Sequence, residues 1–174
     1  MANLNLDNYI SKTPDFPEEG ITFYDISPAL EDSDVLARMI KNMTKLAADF
    51  QPDIFAGIDA RGFLFSLPLA LALKCGTIMV RKAGKLPGSV LEESYSLEYG
   101  TARLTMHASR AIKDKKVVLC DDLMATGGTL AAAEKLVERA GGNVVGAVCV
   151  IELTGLKGRD RLGCDVASLQ IYEF

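Results

Sequence analysis

Asp121 and Asp122 stand between an apolar run, Val117-Val118-Leu119-Cys120, and a stretch of small residues, Ala125-Thr126-Gly127-Gly128-Thr129, that opens a helix-forming sequence. Each part has a chemical use. Glycines let a backbone approach a ligand and turn its amides inward, and a helix start adds unpaired N–H groups and a positive dipole end. Thr126 and Thr129 add hydroxyl donors, so the stretch reads as a phosphate cradle. Two acids directly before it would repel a polyphosphate. They make sense where the ligand places sugar hydroxyls or a hydrated metal beside them and its phosphate further on, the layout of a ribose 5-phosphate. Rival phosphate motifs are absent: no lysine follows Gly127-Gly128 as a Walker loop requires, and no GxGxxG follows a strand.

The elements that must hold this loop can be read from periodicity. From Asp34, the positions Val35, Leu36, Met39, Ile40, Met43, Leu46, Ala47 and Phe50 follow one helix face, with Ser33 or Asp34 as N-cap. Ile54 to Ile58, Thr77 to Val80, Val117 to Cys120 and Val144 to Leu153 are apolar strands. Helices from Phe63 to about Lys74, ended by Gly76, and from Thr129 to Ala140 alternate with them. Strands apolar on both faces and separated by helices predict an α/β, doubly wound, mainly parallel central sheet with helices on both faces. Right-handed crossovers would then line up the turns after residues 58, 80, 120 and 152 at the carboxyl edge, where such sheets bind ligands. Ser94 to Tyr99 and Thr101 to His107 flank Gly100 as a hairpin. Before the first helix, Pro14, Pro17, Gly20 and Pro28 break every candidate element, yet Phe16, Phe23 and Tyr24 argue for an ordered segment.

Composition narrows the function. A chain of 174 residues, 49% hydrophobic and 24% charged, suits a single domain over 1–174. With 19 basic against 23 acidic residues, net −4, it lacks the broad positive footprint of a nucleic-acid binder. Cys75, Cys120, Cys149 and Cys164 lie far apart and His107 is the sole histidine, which disfavours a zinc site. The thiols sit in or beside apolar runs, as buried reduced cysteines do, which predicts a cytoplasmic address. Neither a signal peptide nor a run of roughly 20 apolar residues is legible, so no membrane partner is expected. His107 reads as an exposed strand-end imidazole, and Lys157, Arg159 and Arg161 as a solvated charged loop.

The strand, acid pair and Thr-Gly-Gly-Thr together resemble the loop that binds phosphoribosyl pyrophosphate in type I phosphoribosyltransferases. Three further segments resemble the adenine phosphoribosyltransferase family: Pro14 to Pro28, Asp59-Ala60-Arg61-Gly62-Phe63, and Arg81 to Gly88 with Ser94 to Gly100. The likeness runs from about Pro14 to Gly158. It implies a glycosyltransferase of the pentosyltransferase class, active in purine salvage, that makes AMP and pyrophosphate from adenine and phosphoribosyl pyrophosphate with Mg²⁺.

On that resemblance, residues 1–33 form a hood over the base, where Thr22, Phe23 and Tyr24 contact adenine and Phe23 stacks on it. Asp59, Ala60 and Arg61 form the pyrophosphate loop, held by a cis peptide before Ala60. Arg81, Lys82 and Lys85 reach the pyrophosphate of a neighbouring subunit, implying a homodimer. Asp121 and Asp122 hold the ribose hydroxyls, and Ala125, Thr126, Gly127, Gly128 and Thr129 the 5-phosphate. Mg²⁺ is bound mainly through phosphoribosyl pyrophosphate, with Asp121 and Asp122 nearby. Residues 82–107 form a lid carrying Tyr95, Tyr99 and Glu98, the last exchanging a proton with ring nitrogen 7. Two alternatives stay open: a 6-oxopurine substrate, or a non-catalytic sensor of phosphoribosyl pyrophosphate. The sensor would need a DNA-binding module, for which about 30 irregular residues leave no room.

Overall fold

The computed structural model describes residues 4–97, 100–108 and 112–173. The chain divides into two compact units, residues 1–42 and 43–174.

In the first unit, strands β1 (Ser11–Pro14) and β2 (Thr22–Asp25) pair antiparallel, Ser11 opposite Asp25 and Pro14 opposite Thr22. The breakers read from the sequence do not prevent this hairpin, because Pro14 ends β1, Pro28 lies beyond β2, and Pro17 and Gly20 fall in the connection. There Asp15 adopts positive φ and its Oδ1 accepts the Gly20 N–H at 2.8 Å, and the Phe16–Pro17 peptide is cis. Pro28 sits in the first turn of helix α1 (Ser27–Glu31), where a missing N–H costs nothing. Helix α2 (Ser33–Ala48) follows. Its cap is neither Ser33 nor Asp34: the Asp32 carboxylate accepts the N–H groups of Asp34 and Val35, both at 3.0 Å. Val35, Met39, Met43 and Ala47 are its buried positions, the fourfold spacing of one helical face.

In the second unit the elements run β3 (Ile54–Ile58), α3 (Gly62–Leu73), β4 (Gly76–Lys82), β5 (Val90–Leu97), β6 (Gly100–His107), β7 (Lys116–Met124), α4 (Gly128–Arg139), β8 (Asn143–Leu153) and β9 (Val166–Tyr172). Among the described residues they form one sheet, ordered β5-β6-β4-β3-β7-β8-β9. β4 through β9 in that order are parallel, and β6 runs antiparallel to β4 and β5. α3 ends on Lys74 in the left-handed conformation, not at Gly76, which already opens β4. His107 closes β6 half-buried, not exposed.

The chain steps from β3 to β4 in one direction and from β7 to β8 in the other. Right-handed crossovers therefore place α3 and α4 on opposite faces of the sheet, as the sequence predicted. Packing agrees. Ala56, Ile58, Val117 and Leu119 share a core with Leu130, Leu136 and Val137 of α4. Gly57, on the other face of β3, lies against Phe63 and Ser66 of α3. Phe55 and Phe65 are fully buried, each stabilising the fold by about 1.5–3 kcal/mol. Among the described residues, no helix is long and apolar enough to cross a membrane.

Candidate active site

The reversal of winding falls between β3 and β7, so the loops leaving their carboxyl ends diverge and leave a crevice. On one side is Asp59-Ala60-Arg61, whose Asp59–Ala60 peptide is cis. Gly62 lets this loop lie directly on β7: a Cβ there would run into the Cys120 carbonyl oxygen and the Asp121 Cα. The contact brings Arg61 to the acid pair, and its Nε donates to Asp122 Oδ2 at 2.5 Å. From β4, Arg81 Nε donates to Asp59 Oδ2 at 3.0 Å, while its guanidinium lies 5.7 Å from the centre of the Phe63 ring. Lys82 and Lys85 are exposed beyond it.

Asp121 and Asp122 are not in the loop but inside β7, which runs four residues past the apolar stretch to Met124. Strand alternation sends the two side chains to opposite faces of the sheet. Both are buried, and the Asp122 N–H donates to Asp121 Oδ1 at 2.9 Å. Burial first, and then the neighbouring Asp122 charge, push the Asp121 carboxyl well above the ordinary carboxylate range. Arg61 offsets part of that repulsion.

Past Met124 the chain turns through Ala125 and Thr126 to Gly127, at φ 75°, and α4 begins at Gly128. The Gly127 carbonyl accepts the Ala131 N–H at 2.9 Å, and among the described residues no side chain caps the helix start. The first-turn amides are thus left for an anion, with Thr126 and Thr129 half-buried beside them. No group of three or more His, Cys, Asp or Glu among the described residues could cage a metal ion.

Thr22, Phe23 and Tyr24 form most of β2 in the first unit, and the Phe23 ring meets Phe16 edge-on, centroids 5.4 Å apart. Tyr95 lies on β5, partly buried against the core. Glu98 and Tyr99 lie outside the described residues.

Sequence reasoning missed a second charged cluster. Arg159 is exposed, as a charged loop should be, but it is also paired: its Nε and Nη2 donate to the two oxygens of Glu152, at 2.5 and 2.6 Å. Glu152 is 1% exposed and also accepts the Ser168 hydroxyl at 2.6 Å. The Arg159 hydrogen bonds hold its carboxyl below the ordinary value. The signal was present in the sequence as one acid within the apolar run Val144 to Leu153, since a buried carboxylate needs a cation nearby.

Residues 26–170 match the family model of the phosphoribosyl transferase domain. An adenine phosphoribosyltransferase of Rhodospirillum rubrum is 48% identical over 170 residues, 98% of this chain and 99% of its own. The chain belongs to the adenine phosphoribosyltransferase family. A crystal structure of the family from Thermoanaerobacter pseudethanolicus superposes with a TM-score of 0.92 at 43% identity, covering 96% of this chain and 98% of that one. The Saccharomyces cerevisiae enzyme, solved with D-2,5-dideoxy-2,5-imino-altritol 1,6-bisphosphate and adenine, superposes with a TM-score of 0.88 at 38% identity, covering 94% and 96%. The span matched to the phosphoribosyl transferase domain takes in both loops of the crevice.

Proposed function

We propose that this chain transfers the 5-phosphoribosyl group of phosphoribosyl pyrophosphate to adenine, giving AMP and pyrophosphate in purine salvage. The observation that carries this is the crevice between β3 and β7: a buried acid pair, with an uncapped glycine-rich helix start on one side and an arginine loop on the other. Ribose, 5-phosphate and diphosphate find complementary groups there in the order in which the substrate presents them.

The α4 amides, with Ala125, Thr126, Gly127, Gly128 and Thr129, receive the 5-phosphate. Asp121 and Asp122 accept hydrogen bonds from the ribose hydroxyls. Arg61 exchanges Asp122 for the diphosphate, to which a guanidinium can donate two parallel bonds. Asp59 and Ala60 bring the pyrophosphate loop to the leaving group. Thr22, Phe23 and Tyr24 take the base, with Phe23 stacked on it. Adenine N9 then bonds to C1′ as the C1′–O bond to pyrophosphate breaks, and the proton on N7 passes to Glu98. Tyr95 and Tyr99 belong to the lid that keeps water from the cation-like transition state.

The neighbouring carboxylates of Asp121 and Asp122 suit Mg²⁺, which keeps part of its water shell and takes substrate oxygens. Asp121 and Asp122 would stand beside it. Bound there together with the diphosphate, Mg²⁺ would supply positive charge to the leaving group.

The chain acts as a homodimer. Leu64, Leu67 and Leu71 are exposed along one side of α3, Leu71 at 72%, and a helix apolar on both sides calls for a cover. Arg81, Lys82 and Lys85 supply cations to the partner's diphosphate. Four free cysteines, two of them buried, fit a reducing cytoplasm.

The test is pyrophosphate release with phosphoribosyl pyrophosphate and Mg²⁺, running adenine, hypoxanthine, guanine and xanthine in parallel. Rapid release with adenine alone is expected. Release with an oxopurine instead would overturn the assignment of the base, and silence with all four would point to a sensor.

A further inference from the structure

Among the described residues no side chain caps the loop assigned to the 5-phosphate, and its backbone is fixed in another way. What touches it is the main chain of the turn between β8 and β9. A Cβ on Gly127 would run into the Gly158 carbonyl, and a Cβ on Gly158 would run into the Ala125 carbonyl oxygen and reach 3.0 Å from the Gly127 nitrogen. Two glycines thus let two backbones lie in contact.

Past Gly158 this turn is tied down twice. Beside it, Arg159 grips both oxygens of Glu152, which Ser168 also holds. Glu152 pairs in register with Met124, the residue from which the phosphate loop departs. Further along, both oxygens of the buried Glu134 accept the Gly163 N–H, at 3.1 Å each. Glu134 lies on α4, the helix whose first turn completes the loop. The turn is therefore pinned to β8, the neighbour of the strand that delivers the phosphate loop, and to α4, the helix that leaves it, while its Gly158 backbone lies against the loop itself.

We propose that Arg159, acting through Glu152 and the Gly158 backbone, is a positioning residue that sets the phosphate loop for a ribose 5-phosphate group. The proposal rests on the phosphoribosyl transfer reading above and adds to it the device that holds one half of that site. The guanidinium fork matters here because it fixes both orientation and distance, which an ammonium cannot do.

Arg159→Lys keeps the charge and loses the fork, and Gly158→Ala pushes the two backbones apart. For each, calorimetry would measure the affinity for ribose 5-phosphate and, separately, for pyrophosphate; steady-state rates would give KM for each substrate, and thermal melts the stability. The expected result is a loss of about 10-fold or more in ribose 5-phosphate affinity, with KM for phosphoribosyl pyrophosphate raised in step. Pyrophosphate affinity and KM for adenine should stay at wild-type values. A purely structural role would lower the melting temperature and the active fraction while the folded variants bound ribose 5-phosphate normally, and that result overturns the proposal. Wild-type protein that binds no ribose 5-phosphate overturns it too. Wild-type protein that binds ribose 5-phosphate, loses it in both variants and releases no pyrophosphate with any base would sink the transferase reading and leave the positioning role standing.

Discussion

Asp121 shows what the site costs the fold. Its carboxyl is held well above the ordinary range, so folding disfavours its charged form. A raised acid binds more protons in the folded chain than in the unfolded one, and stability falls as pH rises from the unfolded value through the folded one. Asp121→Asn keeps an oxygen for the Asp122 N–H and discards the charge. Thermal melts at neutral pH without ligand should show the variant more stable by about 0.5–2 kcal/mol, while transferase activity collapses. That advantage should vanish in acid, where wild type is protonated as well. Glu98 is assigned by resemblance, and its test is kinetic. Glu98→Gln should lower kcat by about 10²–10⁴-fold and flatten the pH–rate profile; profiles and rates identical to wild type would remove it from the reaction.

At the level of elements, loops and strands meet through charged pairs and bare backbone. With Glu152 held below its ordinary value, the stability it contributes is present above that value and is lost as pH falls through the depressed one. Arg159→Ala should therefore cost about 3 kcal/mol at neutral pH, at the low end for a buried carboxylate left unpaired because Arg159 is itself half exposed. Denaturant titrations should show the difference from wild type shrinking as the buffer is acidified. Gly62→Ala should destabilise by about 1–3 kcal/mol and weaken pyrophosphate binding, because the added methyl group drives Arg61 away from the crevice. Strands and helices of the second unit were legible because their apolar runs and periods are long. The sequence predicts that β7 ends at Cys120 since two acids look like loop, and the pairing with β3 does end there, but the pairing with β8 continues and keeps both acids in the strand. The β1–β2 hairpin escaped because its strands are four residues each and mostly exposed or half-buried, leaving no alternation to read. Arg159 escaped for another reason: its partner lies in a different element, and a charge run in one stretch of sequence says nothing of that.

On the scale of the molecule, the apolar outer side of α3 predicts assembly. Light scattering on wild type should give the mass of a dimer, and Leu67→Glu with Leu71→Glu should shift it toward monomer at micromolar concentration. A monomeric mass for wild type would remove the partner from the diphosphate site. The acid pair, the glycine loop and the arginine loop were all legible as types and spacings, but their meeting place was not, since it depends on β3 and β7 being neighbours while their helices leave on opposite faces. Because the winding reverses there, each half of the crevice is written in one uninterrupted stretch of gene, residues 54–82 for the arginine loop and 116–153 for the acids and the glycines. A recombination event anywhere between those stretches would hand a complete half to a new chain. The seam left to match would include the Gly62 backbone against the Cys120 carbonyl, a contact that asks one parent for a glycine at that position and the other for main chain alone.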